Sequence, residues 1–152
     1  MPENDPTAAL GADEYALIRA LRPAMAALIH AFDDDLHSQG LSHGEYLALM
    51  FLSEASERTM RLSDLAVEIQ QSASAAGRTV KRLEVQGLVE RVQSAQDARS
   101  FNATLTEAGL ARLEAAWPVH VASVRRHLFD RLEGVDTAKL AAAFQRIAYD
   151  RP

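Results

Sequence analysis

The segment from Ser72 to Ser100 restricts the possible folds of this chain more than any other stretch. It opens with small polar residues, and the hydroxyl of Ser72 or Ser74 can cap a helix by accepting from its free backbone N–H groups. Apolar residues then recur at helical spacing and should face a core: Ala76, Val80 and Leu83.

The helix should end at Gly87, because glycine readily takes the left-handed conformation that a helix end requires. After it, Leu88–Gln93 predicts a short strand, Ser94–Ser100 a polar turn and Phe101–Leu105 a second strand. A helix followed by a two-stranded hairpin with a charged tip is the arrangement found in a winged helix.

Two helices should precede this segment in the first third of the chain. Asp13–His37 has apolar residues at helical spacing, and Pro23 within it predicts a kink or a late start. Ser42 and Glu45 have the spacing of a capping box, in which the hydroxyl caps the helix and the carboxylate accepts from the cap N–H. The next helix should therefore begin directly after Ser42.

A helix-turn-helix is predicted immediately before the winged segment. Met60–Leu62 could pair as a short strand, and Ser63 should cap a short helix, Asp64–Gln70. This helix, the turn after it and the helix from Ser72 have the order of a helix-turn-helix. In that motif the first helix braces the second, which enters the major groove of DNA.

The C-terminal third predicts two more helices. Thr106 should begin a long one that bends at Pro118 and stops at Glu133–Gly134, and a last helix should cover about Asp136–Ala148. The apolar residues of the long helix from Thr106 have nearly heptad spacing: Leu110, Leu113, Trp117, Val121, Val124, Leu128 and Leu132. The terminal helices thus carry more apolar surface than one small winged helix can cover. A dimer would bury it, whereas a monomeric bundle would leave the seam partly exposed.

Several short motifs, in order and with fitting gaps, resemble those of the MarR (multiple antibiotic resistance regulator) family. They are Ser72-Ala73-Ser74, Arg78, Arg82-Leu83-Glu84, Gly87-Leu88-Val89-Glu90-Arg91, Asp97-x-Arg99 and Leu105-Thr106-Glu107-Ala108-Gly109. The resemblance covers roughly residues 10 to 150. Gly77 departs from the family pattern, which usually has a larger residue there, and a glycine inside a helix costs about 1 kcal/mol relative to alanine.

The resemblance implies a mainly α fold with a small β-wing, in which a winged helix-turn-helix is flanked by N- and C-terminal dimerisation helices. We expect a flexible N-terminus at 1–10 and a single domain at 11–152. Within it, 41–105 would form the DNA-binding part, and 11–38 and 106–150 would dimerise.

Charge is distributed unevenly along the chain. The net charge is −5, which argues against indiscriminate nucleic-acid binding. Residues 1–40 hold seven acidic residues against two arginines, whereas residues 71–104 hold five basic residues against three acidic ones. The positive charge is therefore gathered in the expected DNA-binding part, where it suits contact with phosphates.

The residues that should contact DNA lie on the helix from Ser72, which is the expected recognition helix, and in the turn Ser94–Ser100, which is the wing tip. They are Ser72, Ser74, Ala75, Arg78, Thr79, Lys81, Arg82, Asp97 and Arg99. Arg78 is placed for base edges or the groove wall, and Arg82 for a phosphate or for bracing the wing. At the wing tip, Asp97 could hold the Arg99 guanidinium in one orientation for a narrow minor groove. Lys81 and Arg82 taken alone favour a solvated helix face.

A pocket for a small effector is implied by the resemblance, between the dimer region and the DNA-binding part. Its candidate residues are Arg22, His43, Tyr46, Met50 and Trp117. An arginine and a histidine in an apolar pocket would suit an aromatic or phenolic carboxylate. Taken singly, Tyr46, Met50 and Trp117 each favour an ordinary core residue.

Enzymatic and metal chemistry receive little support from the sequence. There is no cysteine, and no G-x-S-x-G or glycine-rich phosphate loop occurs, so we expect neither hydrolytic catalysis nor a cofactor. Asp33, Asp34 and Asp35 point in different directions on a helix, which favours a solvated helix end. His30/His37 and His120/His127 are each seven residues apart, too far for one ion, which favours interface or pocket histidines.

The sequence, together with its resemblance to the MarR family, therefore implies a homodimeric, ligand-responsive repressor that binds a pseudo-palindromic operator in double-stranded DNA. The acidic N-terminus lacks the features of a secretion signal and no apolar run reaches membrane-spanning length, so we expect a cytoplasmic protein. The alternatives are a zinc-sensing regulator and a winged-helix protein-interaction module without DNA binding.

Overall fold

The computed structural model describes residues 9–94 and 100–149. Its helices are α1 (Ala12–His37), α2 (His43–Glu54), α3 (Leu62–Glu68), α4 (Ala73–Val85), α5 (Glu107–His127) and α6 (Thr137–Tyr149). Its strands are β1 (Thr59–Arg61), β2 (Val89–Gln93) and β3 (Phe101–Leu105). This is the mainly α fold with a small sheet that the sequence predicts.

Helix α4 forms as its local sequence predicts. The Ser72 hydroxyl accepts from the backbone N–H of Ala75 at 3.3 Å, which satisfies a donor that the first turn leaves free. The three predicted inward residues, Ala76, Val80 and Leu83, are completely buried. Gly87 follows the helix with a φ of +71°, the left-handed conformation that glycine tolerates best.

The sheet has three antiparallel strands in the order β1-β3-β2. Strands β2 and β3 form the hairpin, in which Val89 lies opposite Leu105 and Gln93 opposite Phe101. Strand β1 adds to the other edge of β3, with Thr59 opposite Thr104 and a hydrogen bond of 2.8 Å between their hydroxyls. The hairpin is thereby tied to the segment that leads into α3.

The capping box at the start of α2 is confirmed. The Ser42 hydroxyl accepts from the Glu45 N–H at 3.1 Å, and Glu45 Oε2 accepts from the Ser42 N–H at 2.9 Å. Both donors of this helix end are therefore satisfied within the box.

One predicted boundary in the N-terminal half is confirmed and one is wrong. Helix α1 runs from Ala12 to His37, within one residue of the predicted Asp13–His37, so Pro23 does not delay its start. Helix α3 begins at Leu62 rather than at Asp64, and Ser63 lies inside it instead of capping it. The reason is that β1 runs directly into the helix, so Arg61 becomes its N-cap residue, without a side-chain cap bond.

The predicted continuation of α5 to Leu132 is also wrong. The helix ends at His127, and a 3₁₀ turn at Phe129–Arg131 follows. A tighter 3₁₀ turn commonly closes an α-helix, and it removes Leu132 from the helical seam that residue spacing alone suggests. Helix α6 then starts after Asp136, whose carboxylate accepts from the Lys139 N–H at 3.1 Å.

The buried core lies in the middle of the chain, among α2, α3, α4 and the sheet, and it extends to α5 through Leu113 and Ala116. The terminal helices keep large apolar side chains exposed, including Leu17 and Ile18 on α1 and Ile147 on α6. None of the helices in the described ranges is long and apolar enough to cross a membrane.

Candidate nucleic-acid interface and effector cavity

One face of α4 is polar and points away from the core. Ser72, Ser74, Arg78 and Lys81 are exposed on it. The hydroxyls of Ser72 and Ser74 lie 3.2 Å apart at the start of the helix, and Lys81 donates to Glu84 at 2.9 Å. Ala75 is half-buried at the edge of this face. Hydroxyls followed by cations along one exposed helix face suit the floor and the phosphate walls of a major groove.

Two of the predicted contact residues are engaged inside the protein. Thr79 is buried, and its hydroxyl donates to Gln71 Oε1 at 2.9 Å. The half-exposed Arg82 donates from Nε to Glu45 Oε1 at 2.7 Å and from a terminal nitrogen to the Thr79 hydroxyl at 3.4 Å. Thr79 follows Ala76 by three residues and precedes Leu83 by four, so helical spacing itself places it beside the buried face. For Arg82, only the tertiary structure shows that α2 approaches it.

The described part of the hairpin carries one further cation. The Arg91 guanidinium lies 4.8 Å from the ring centroid of Phe101, and its Nε is 4.0 Å from Glu84. The wing-tip residues Asp97 and Arg99 lie outside the described residues, so their pairing stays a prediction.

A cavity of about 310 Å³ opens between α2 and the C-terminal half of α5. It brings together Met50 and Trp117, two of the residues that the resemblance places in a pocket. The complete lining is Met50, Trp117, His120, Val121, Val124, Arg125 and Phe129. An apolar wall with one arginine and one histidine suits a small aromatic or aliphatic anion.

Two further candidates, His43 and Tyr46, lie beside this cavity in a cluster of rings. The His120 ring centroid is 4.3 Å from that of Tyr46 and 5.9 Å from that of His43, and Phe32 lies 5.4 Å from both histidines. Within the described chain, the Tyr46 hydroxyl and His120 Nδ1 are buried without a hydrogen-bond partner.

Burial perturbs the ionisable groups of this ring cluster. It lowers the pKa of His43, against the opposing charge of Asp33, and it raises the pKa of Tyr46 to about 12. Burial, reinforced by the charge of His43, also lowers the pKa of His120. Both imidazoles are therefore neutral at pH 7, and each offers one donor and one acceptor.

The structure does not bring every candidate to the cavity. Arg22 is exposed on α1 and does not line it. Arg125 does line it, although it was not among the predicted residues. Helical spacing is the signal that could have found it, because Arg125 follows Val121 by four residues, whereas Arg126 does not share that face.

The interpretation of the aspartate run as a solvated helix end is wrong for two of its members. Asp33 Oδ1 accepts from the His43 N–H at 2.8 Å. Asp35 Oδ2 accepts from the Ser123 hydroxyl at 2.5 Å and lies 3.5 Å from Arg126 and 3.2 Å from His127.

The pKa of Asp35 is held below its usual value, chiefly by the hydrogen bond from Ser123 and then by the charges of Arg126 and His127. The aspartates do diverge, as helical geometry requires, but Asp33 and Asp35 join helices, whereas Asp34 is exposed. Among the described residues, no group of three or more histidines and carboxylates is arranged to hold a metal ion.

The fold and the exposed face of α4 define a winged helix-turn-helix protein of the class that regulates transcription. A sequence profile of the MarR family matches residues 39–100. The chain is 37% identical to AbsC, a MarR family transcriptional regulator from Streptomyces coelicolor, over 93% of this chain and 96% of AbsC, with a TM-score of 0.81.

A second structure from the same organism is similar over nearly the whole chain. It is Sco3205, a MarR family transcriptional regulator solved in complex with DNA, with 31% identity over 98% of this chain and 94% of Sco3205 and a TM-score of 0.86. The chain therefore belongs to the MarR family.

A shorter match is found with the HTH-type transcriptional regulator BilQ from Clostridioides difficile. The two sequences are 26% identical over 87 residues, which span 53% of this chain and 57% of BilQ. This match thus covers little more than half of BilQ.

Proposed function

We propose that this protein is a homodimeric repressor that binds a pseudo-palindromic operator through α4 and releases it when a small anion occupies the cavity beside Trp117. The exposed face of α4, with Ser72, Ser74, Arg78 and Lys81, is the observation that carries the DNA-binding part of the proposal. The DNA-bound relative Sco3205 supports the same assignment.

The position of α4 supports insertion into a major groove. Three of its residues are completely buried against the core, so the helix is held firmly while its opposite face is free. In a symmetric dimer, two such helices would reach successive major grooves if they stood about 34 Å apart. An operator with two inverted half-sites would match that symmetry.

Arg78 is the residue of this face that we expect to read a base. Arg78→Ala should weaken binding to the preferred DNA by about 1–3 kcal/mol and relax the sequence preference at one position in each half-site. The preferred DNA would be obtained by enriching, from a pool of random-sequence duplexes, those that the wild-type protein binds. The affinities of both proteins would then be measured at fixed salt.

Arg131→Ala is the matched control for this experiment, because it removes the same exposed charge from the turn after α5. It should leave the sequence preference unchanged. Equal losses on all sequences for Arg78→Ala would instead make Arg78 a phosphate contact.

The dimer part of the proposal rests on the exposed apolar residues of the terminal helices. Leu17, Ile18, Phe144 and Ile147 are each at least 48% exposed in the single chain. A soluble monomer rarely leaves so many large apolar side chains on its helices open to water. A second copy of the chain would cover it.

The cavity beside Trp117 supports the response to an effector. Arg125 would pair with an anionic group, and Trp117 and Phe129 would contact an apolar body. Because the cavity lies between α2 of the DNA-binding part and α5, an occupant could favour one distance between the two α4 helices of the dimer over another.

Trp117 is the only tryptophan of the chain, so its fluorescence should report occupancy directly. We expect a panel of aromatic carboxylates to change this fluorescence and to release DNA, whereas the matching carboxamides should do neither. Arg125→Gln should remove this discrimination by charge, with Arg126→Gln as the control. A carboxylate that binds equally to the Arg125→Gln protein would contradict the assigned role of Arg125.

A further inference from the structure

The N-terminal end of α2 is the point where three parts of the protein are joined by polar contacts. Asp33 of α1 accepts from the His43 N–H, and Glu45 of the first turn of α2 bonds to Arg82 of α4. On the other side, Gly44 lies against the side chain of Gln71 in the turn before α4.

We propose that Glu45 is a positioning residue for DNA recognition, which fixes the rotation of α4 through Arg82. In this arrangement Arg82 acts inside the protein instead of on a DNA phosphate. The inference rests on the proposed DNA-binding function and concerns how the recognition helix is held.

The geometry of Glu45 is fixed from both sides. The residue is only 5% exposed, so its carboxylate needs partners in the protein. Oε2 accepts from the Ser42 N–H at 2.9 Å and Oε1 accepts from Arg82 Nε at 2.7 Å. The first of these bonds belongs to the capping box, so Oε1 is presented to α4 from a rigid helix end.

The contact continues from Arg82 back to α2. A terminal nitrogen of Arg82 donates to the Thr79 hydroxyl at 3.4 Å, and this hydroxyl donates to Gln71 Oε1 at 2.9 Å. The Gln71 amide then packs so closely on Gly44 that a Cβ at that position would lie 2.5 Å from its Nε2. The network therefore ties α4 to α2 at its third turn and again at the turn that precedes it.

Such a network matters more for reading bases than for neutralising phosphates. Contacts to base edges need a defined helix rotation, whereas phosphate contacts by flexible cations tolerate small displacements. Loss of the network should therefore lower the affinity for the preferred DNA while leaving the affinity for unrelated DNA nearly unchanged.

The test compares Glu45→Gln with Arg82→Gln and Arg82→Lys. Glutamine at position 45 can keep the bond to the Ser42 N–H, since a capping box accepts Gln as well as Glu, but it loses the ion pair with Arg82. Lysine at position 82 keeps the positive charge but lacks the planar fork that reaches Glu45 and Thr79 together. The half-exposed position of Arg82 means that its variants should fold even if a variant of buried Glu45 does not.

The measurement is affinity at several salt concentrations for two duplexes. One is the duplex selected by the wild-type protein from a random-sequence pool, and the other is an unrelated duplex of equal length. All three variants should lose about tenfold or more on the selected duplex, the equivalent of one charge-assisted hydrogen bond, and should bind the unrelated duplex as the wild type does. The double variant Glu45→Gln/Arg82→Gln should lose no more than Arg82→Gln alone.

The opposite pattern would overturn the inference. If Arg82 contacts a phosphate, Arg82→Lys should bind nearly as the wild type does, Arg82→Gln should weaken both duplexes equally, and Glu45→Gln should bind at least as tightly as the wild type. A wild-type protein that selects no sequence at all would refute the proposed function, and with it the inference. The failure of the inference and the failure of the proposed function are distinguishable. The phosphate-contact pattern would occur in a protein that still selects an operator, whereas failure of the proposed function would leave no selected operator.

Discussion

Gly109→Ala should lower the free energy of unfolding by about 3 kcal/mol, a large part of the stability of a domain of this size. Gly109 lies in the first turn of α5, where a Cβ would collide with the carbonyl oxygen of Leu88 and would lie 2.6 Å from Leu105 Cδ1. The first collision is with backbone, so it cannot be relieved by a rotation of one side chain.

The backbone around Gly109 has little freedom to move away. The Thr106 N–H donates to the Leu88 carbonyl at 3.1 Å, and the Thr106 hydroxyl donates to the Gly87 carbonyl at 2.8 Å. The same hydroxyl accepts from the Gly109 N–H at 3.0 Å. A displacement of α5 would break these bonds, which join the end of α4 to the start of α5.

Gly77→Ala provides the matched control within α4. Apart from the helix's own backbone, no heavy atom lies within 4 Å of a Cβ at Gly77, so alanine should stabilise the helix by about 1 kcal/mol. Urea unfolding of both variants, at one fixed protein concentration because dimers gain stability with concentration, measures the difference. An unfolding midpoint of Gly109→Ala equal to that of the wild type would show that α5 does not pack on Leu88 as described.

Ile147→Asp should convert the proposed dimer into monomers at micromolar concentration. Ile147 on α6 is 75% exposed in the single chain, so in a monomer the substitution would touch nothing. In a symmetric dimer each subunit would instead bury an unpaired carboxylate. The total cost should be at least about 3 kcal/mol, which corresponds to more than a hundredfold in the dissociation constant of the dimer.

Val85→Asp is the control for this prediction, because Val85 is 76% exposed and lies at the end of α4, in the DNA-binding part and not on α1 or α6. Sedimentation velocity should show a dimer for the wild type and for Val85→Asp, and a monomer for Ile147→Asp. A wild-type protein that sediments as a compact monomer would refute the dimer, and an Ile147→Asp protein that stays dimeric would place the interface elsewhere.

The sequence alone determined those features of the fold that depend on neighbours along the chain. The capping box of Ser42 and Glu45, the cap at Ser72 and the left-handed Gly87 each involve residues a few positions apart. The buried face of α4 and the hairpin follow from periodicity, which is also a local property. For this reason the winged helix-turn-helix could be predicted with nearly correct bounds.

The sequence was less informative about helix boundaries that depend on a neighbouring element. Helix α3 starts early because β1 leads into it, and α5 ends early in a 3₁₀ turn. Both boundaries depend on how the chain enters or leaves the packed core, so local caps and heptad spacing could not locate them.

Only the tertiary structure decided what the polar side chains do. Glu45 meets Arg82 from 37 positions away and Asp35 meets Ser123 from 88 positions away, so no motif in the sequence links these pairs. The same holds for Gly109, whose lack of a side chain matters only because the Leu88 carbonyl lies against it. Periodicity specifies which face of a helix is buried, whereas the partner of each polar group depends on the positions of all the elements together.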